Sequence, residues 1–386
     1  MAPYSLFGSL SALAAAAVVG GGEVRVARSR CVGDMAAGLR LLGYRVDRVS
    51  GEAVVVRDEG GVGRGGVFSL RGPCLHPLAF LAPLAAVRLA PGARLVFRVS
   101  APSRLWRWLV EAVGLLGGRA WPLEGGGVVV EAGAGRRLVA GRLYTGWLGL
   151  AAGLVYAAVY AEARLAVSLV ASGLAGYRWL RGSLAMLGIE AGDVLRGLRL
   201  VYEPGAGPRG GGFEPWRSGG AALMALLPLA RHGGSVELRG LAEGDAGLFV
   251  EAAGAAGLRA GLVGGCGGRG CVVGVGAGGG VPGQVPARVL AEEPDYLYPA
   301  AAGLALGGSL EAPYLCVEDP AVAGDRVEAG RVTGAGCGGE PSSLLACAAS
   351  YGGYAYGSSP PPRGLGALDD RLPGFLALAE EAGCLA

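Results

Sequence analysis

The sequence contains no lysine and no asparagine, one glutamine (Gln284) and one isoleucine (Ile189). All 34 basic residues are therefore arginines. The missing types share AT-rich codons, so a GC-rich genome accounts for the bias. Scarcity of the thermolabile amides also suits a thermophile. Without lysine, an anionic ligand must be held by arginine, a hydroxyl or backbone N–H groups, and arginine is too basic to donate a proton in catalysis. Histidine is nearly absent too: only His76 and His232 are available, and neither stands at finger-like spacing from the eight cysteines. This favours no metal, and no motif calls for a cofactor.

Long charged tracts are also lacking. The 34 arginines are interspersed with 31 acids, for a net charge of +3, without clustering of arginine and aromatics. Nucleic acid is excluded as a partner on that ground. Residues 2–22 are uncharged but carry no basic n-region, and Pro3 and Gly20–Gly22 suit neither a signal peptide nor a span. Residues 146–161 are apolar but shorter than the roughly 20 residues a bilayer crossing needs. Both read as buried helices, which removes the membrane as a partner and points to a cytoplasmic protein acting as a monomer. Cys31, Cys74, Cys266, Cys271, Cys316, Cys337, Cys347 and Cys384 read as small buried hydrophobes, with a disulfide among some of them left open.

What is present is self-similarity. A unit consists of an apolar helix, a short turn, an alternating strand, an amphipathic helix ending at glycine, and further strands. The first has an apolar helix at Ser9–Val19, a strand at Glu23–Arg28, Asp34 as N-cap of a helix Met35–Leu42, and strands Tyr44–Val49 and Ala53–Arg57. Corresponding units begin near residues 78, 146, 221, 298 and 344, the fourth with Asp245 as cap. The fifth is short: after strand Ser309–Val317 no amphipathic helix is legible in Ala321–Val332. A helix apolar on all sides must be buried on all sides, so apolar helices belong inside and sheets outside. Grouping by three gives an α/β chain with a first lobe at 1–202, a Gly/Pro-rich hinge at 203–212 and a second lobe at 213–386.

This pattern resembles the enolpyruvyl transferases of the EPSP synthase type. The likeness is carried by Asp34–Gly43, by Leu109–Gly117, by Pro373-Gly374-Phe375 with Leu378–Gly383, and above all by residues 218–257, from Ser-Gly-Gly-Ala-Ala-Leu to Glu-Gly-Asp-Ala. It implies two lobes facing across a cleft, and transfer of the enolpyruvyl group of phosphoenolpyruvate to a hydroxyl of shikimate 3-phosphate. Such a site needs several cations, a base for the hydroxyl proton and protonation of the vinyl carbon.

The family's motifs are only partly kept. Its Lys-Ser-x-Ser-x-Arg corresponds to Tyr4 through Ser9, where Ser5 alone matches. The strand that usually precedes this motif is missing, consistent with a start codon set too far downstream. Asn-Ser-Gly-Thr and the arginine after it correspond to Pro73-Cys74-Leu75-His76 and Ala79, with no match. Arg104 falls on an arginine that holds phosphoenolpyruvate, or simply opens a helix. Thr145 keeps a hydroxyl of the Ser-Ser-Gln motif, or caps the helix that follows. Asp295 falls on the general base, a role compatible with an N-cap. Lys-Glu-x-Asp-Arg meets Glu318-Asp319-Pro320, Asp-His-Arg meets Glu340-Pro341-Ser342, and a closing lysine meets Asp370 beside Arg371. The resemblance thus implies Asp295 as catalytic and Ser5, Arg104 and Thr145 as substrate-binding. The losses favour, as the alternative, an inactive relative binding a less charged ligand or a protein. A Gly-x-Gly-x-x-Gly run at Gly274–Gly279 lacks Gly-Lys-Ser/Thr and reads as part of a loop between strands.

Overall fold

The computed structural model describes residues 1–304, apart from 51, 71–74, 99–102, 125, 135–136, 146–147, 171–175, 205–212, 269, 279–282 and 284. Beyond them it describes 309–311, 325–328, 331–334, 348 and 355. The chain forms two compact units: an N-unit, Phe7–Pro215, and a C-unit of Met1–Leu6 with Trp216–Ala386. The hinge expected at 203–212 falls largely outside the described residues.

The apolar runs are buried helices. In Leu148–Tyr160 every residue through Val159 is buried, and Pro77–Arg88 packs directly against it. The approach is close enough that a Cβ at Gly153 would lie 1.8 Å from the Ala79 carbonyl oxygen, so only glycine fits. Each fully buried leucine in such a helix contributes about 1.5–3 kcal/mol. Leu6–Val18 and Gly219–Leu226 are built the same way. Among the described residues no helix is long and apolar enough to cross a membrane.

Four sheets share one order, with the third strand in sequence inserted antiparallel between the first two. They are Gly21–Arg25, Tyr44–Arg48 and Ala53–Asp58; then Arg94–Arg98, Arg119–Pro122 and Val128–Glu131; then Arg164–Val170, Leu195–Arg196 and Arg199–Tyr202; and in the C-unit Ser235–Leu241, Leu258–Leu262 and Cys271–Ala277. Two further strands, Gly66–Ser69 and Leu138–Tyr144, add as parallel outer strands to the second and third sheets. Their sequences, Gly-Val-Phe-Ser and Leu-Val-Ala-Gly-Arg-Leu-Tyr, alternate weakly, and the sequence reading missed them. At the corresponding edge of the first sheet, Phe213 exchanges backbone hydrogen bonds with Glu23 and Arg25.

Several local expectations are corrected. The helix assigned to Met35–Leu42 runs Arg30–Leu41, because the Ser29 hydroxyl accepts the Cys31 N–H and caps it; Asp34 is a buried residue of the second turn. Asp245 is likewise no N-cap: its helix begins at Glu243, and the acid lies in the first turn, where the helix dipole favours it. The glycine-rich run does not begin in a loop, since Gly274 and Gly276 belong to the central strand Cys271–Ala277. Cys31 is a buried thiol that takes part in no disulfide, whereas Cys266 and Cys271 form a disulfide with Cα atoms 4.2 Å apart. In the fifth segment, Asp325–Glu328 and Arg331–Gly334 form antiparallel strands, joined by Ser309–Glu311 at the sheet edge. Residues 312–324 and nearly all of the expected sixth unit lie outside the described residues.

Candidate functional site

In the C-unit, polar groups gather where the N-terminal segment meets Trp216–Ser218. Ser5 donates its N–H to the Trp216 carbonyl at 2.7 Å, and Ser218 N–H donates to the Pro3 carbonyl at 2.8 Å. These bonds knit the chain start to the entrance of helix Gly219–Leu226. Ser218 caps that helix by accepting the Ala221 N–H at 3.1 Å, and its own hydroxyl points to Asp295 Oδ2 at 3.4 Å. The route from Ser5 to Asp295 therefore passes through the Trp216–Ser218 backbone, and Ser5, Ser218 and Asp295 are all buried.

Asp295 belongs to the short 3₁₀ turn Pro294–Tyr296, and its burial follows from the Gly219-Gly220 pair. A Cβ at Gly220 would sit 2.7 Å from the Asp295 carbonyl carbon and oxygen and 2.8 Å from its Cβ; one at Gly219 would sit 2.0 Å from the Tyr296 hydroxyl. Two glycines thus let the turn lie against the helix start, where free N–H groups favour an anion. Glu293, two residues earlier, is also buried. The arrangement holds a carboxylate of fixed orientation, the property a proton acceptor needs.

The same segment, Trp216–Ser218, carries a cation on Tyr4. The Arg217 guanidinium lies 3.6 Å above the ring of Tyr4 and donates to the Ala2 carbonyl at 3.1 Å. Tyr4 occupies the position where the family motif has lysine, so Arg217 brings positive charge to that place from a different part of the chain. Sequence reasoning missed it, because the Tyr4–Arg217 pairing spans more than two hundred residues. Ser218 had a signal in its Ser-Gly-Gly context but was not singled out.

The other two predicted residues lie in the N-unit. Arg104 is in the first turn of helix Ser103–Leu115; its side chain lies outside the described residues. Thr145 is buried between strand Leu138–Tyr144 and helix Leu148–Tyr160. The Arg104 helix docks on that strand's end: Glu111 Oε2 accepts the Tyr144 N–H at 3.1 Å, and Arg107 lies 5.8 Å from the centre of the Tyr144 ring. Of the second motif, Leu75, His76 and Ala79 are buried. His76 meets Phe7 and Trp179 edge-on at 5.4 and 5.0 Å, and Phe7 stacks on Trp179 at 4.7 Å. Pro73, Cys74 and the later motif positions at 318–320, 340–342 and 370–371 are outside the described residues. Among the described residues no cluster of three or more His, Cys, Asp or Glu could hold a metal.

No family model matches the sequence, and no curated protein matches it. Solved structures do. One structure of EPSP synthase from Acinetobacter baumannii superposes with a TM-score of 0.66 at 16% identity, covering 100% of this chain and 95% of that one. A second gives 0.65 at 15% identity, covering 99% and 94%. Agreement over the full length at so low an identity defines the architecture: the chain has the EPSP synthase fold.

Proposed function

We propose that this protein is an EPSP synthase-like enolpyruvyl transferase, joining the enolpyruvyl group of phosphoenolpyruvate to a hydroxyl of shikimate 3-phosphate with release of phosphate. The observation that carries the reading is the Ser5–Ser218–Asp295 assembly: a buried carboxylate oriented by a hydroxyl, in a chain of this fold, with Arg217 on the same Trp216–Ser218 segment. In this account Asp295 removes the proton of the attacking hydroxyl. The hydroxyl oxygen bonds to the vinyl carbon bearing the phosphate, the methylene carbon takes up a proton, and loss of that proton with phosphate restores the double bond. No arginine can supply the proton, so it comes from a carboxyl or from water. Arg104 holds phosphoenolpyruvate, Ser5 and Thr145 hold the acceptor, and Arg217 takes over part of the charge compensation lost at Tyr4.

A second reading is a non-catalytic relative that binds a less charged ligand or a protein. The packing of Phe7 and His76 with Trp179 favours it, because a segment that approaches substrate in the family here fills an apolar core. Phosphate release from the two substrates separates the readings. The transferase reading expects turnover that Asp295→Ala abolishes and Arg217→Ala reduces. Neither phosphate release nor heat of binding for either substrate would establish the second.

A further inference from the structure

The N-unit contains two helix-to-edge-strand junctions built alike. Helix Arg30–Leu41 is followed by left-handed Gly43, and helix Ser103–Leu115 by left-handed Gly117. Two residues ahead of each glycine stands a leucine that rests on a glycine of the next outer strand. A Cβ at Gly66 would lie 3.4 Å from Leu41 Cδ2, and one at Gly141 would lie 2.7 Å from Leu115 Cδ2. Both strands, Gly66–Ser69 and Leu138–Tyr144, are outermost in four-stranded sheets and parallel to their single neighbour. The two contacts fix one register. Leu41 corresponds to Leu115 and Gly66 to Gly141, so Gly33 corresponds to Arg107, Ala37 to Glu111 and Ser69 to Tyr144.

The junctions differ at those last three pairs. In the second, Glu111 accepts the Tyr144 N–H through Oε2 at 3.1 Å and the Arg107 Nε–H through Oε1 at 3.2 Å. A carboxylate backed by arginine thereby takes up the amide at the end of the outer strand. In the first, Gly33 and Ala37 carry no such group, and a groove of about 860 Å³ opens between the helix and Val67–Ser69. Arg30 and Arg40 are exposed on its rim, and Asp34 lies buried in its floor. Val67 is 55% exposed along the strand.

We propose that this groove docks an extended acidic peptide segment of a partner protein, added beside Gly66–Ser69. Its backbone pairs with the outer edge of that strand, beside which no further strand lies among the described residues. One Glu or Asp carboxylate takes the place that Glu111 holds in the twin junction, beside the exposed guanidinium groups of Arg30 and of Arg40, the latter also donating to the Val46 carbonyl. The volume lies within the ~300–1,000 Å³ of built ligand clefts. A lone small carboxylate would leave most of it empty.

A labelled acetyl-Val-Glu-Val-Glu-Val-amide peptide, titrated by fluorescence anisotropy against the full chain, tests this. Saturable binding is expected, weakened at least tenfold when both glutamates become glutamine. Ala37→Glu installs the twin's carboxylate on an exposed helix face and is expected to abolish binding. In the unaltered protein, hydrogen exchange at Val67–Ser69 is expected to slow when peptide is added, a readout that needs no variant. Absence of binding, equal affinity for the glutamine peptide, unchanged affinity in Ala37→Glu or unchanged exchange at these amides would each overturn the proposal. So would displacement by glutarate or inorganic phosphate at the peptide's own concentration, which would mark a simple anion site.

Discussion

Asp295 and Arg217 show how a residue's role here depends on what surrounds it. Asp295 alone is an acid before a helix, and any N-cap fits that description. What marks it out is burial against Gly220 and a hydroxyl donor from Ser218. Arg217 alone is a half-buried arginine; its bridge to Tyr4 and its place over the Tyr4 ring are what support the proposed charge compensation. A charge-assisted hydrogen bond contributes about 1.5–3 kcal/mol. Arg217→Ala is therefore expected to weaken binding of a phosphorylated ligand at least tenfold in calorimetry, with Arg217→Lys recovering part of the loss. A different kind of residue is Tyr44, whose buried hydroxyl has no hydrogen-bond partner among the described residues. Burial raises its pKa well above the ordinary 10.0, only partly offset by Arg88, 4.5 Å from the ring centre. The folded state then keeps the phenol proton where the unfolded chain has lost it, so this contribution to stability is complete below pH 10 and is lost as pH rises beyond it. Tyr44→Phe keeps the cation–π contact and removes the unsatisfied hydroxyl. It is expected to be neutral or stabilising at pH 7 and to lessen the alkaline loss of stability in denaturant melts.

At the scale of elements, the sequence was most legible where burial is total. The apolar helices carry few polar residues, and Ser9, Ser11 and Arg88 among them are buried, so their extents were readable to within a few positions. Strand Arg164–Val170 was readable in full, because its alternation matches the pleat. Helix starts were less legible. Asp34 looks like a cap in isolation, yet Ser29 competes for the same role and wins by satisfying the earlier amide. The strands Gly66–Ser69 and Leu138–Tyr144 escaped notice because an outer strand needs only one paired side and tolerates exposed polar residues and glycine. Of the candidate site, Asp295 and Ser5 were named from motif order. The Ser218 link between them was not, since it depends on a contact between distant segments. The Gly219-Gly220 pair gives the element-scale prediction. Gly220→Ala forces the Pro294–Tyr296 turn off the helix start, with overpacking worth about 1–3 kcal/mol. Urea denaturation is expected to show that loss, and phosphate release to fall further than the stability change explains. Unchanged activity in a folded Gly220→Ala variant would contradict the role given to that close approach.

At the scale of the molecule, each unit has its own fastening. In the N-unit it is Arg88, at the end of an apolar helix. Arg88 pairs with Asp58 at 2.6 Å, donates to the Gly61 carbonyl at 2.5 Å and the Leu42 carbonyl at 3.2 Å, and bonds the Tyr160 hydroxyl. One guanidinium thereby joins the ends of three helices and a strand. Removing one member of a buried pair costs about 3–5 kcal/mol. Asp58 keeps some exposure, so about 2–3 kcal/mol is expected for Arg88→Ala in thermal or urea melts, and less for Arg88→Met, which retains the packing. In the C-unit the fastening is the chain start itself, where Ala2, Pro3 and Ser5 bond Arg239, Ser218 and Trp216. The residues proposed for catalysis thus depend on the first few residues of the chain being in place. The most direct test of the transfer is NMR of the full-length protein with phosphoenolpyruvate and shikimate 3-phosphate. The account predicts new vinyl protons of an enol ether appearing in step with inorganic phosphate by ³¹P, and neither with Asp295→Ala. Unchanged substrates, or phosphate accompanied by free pyruvate, would contradict it.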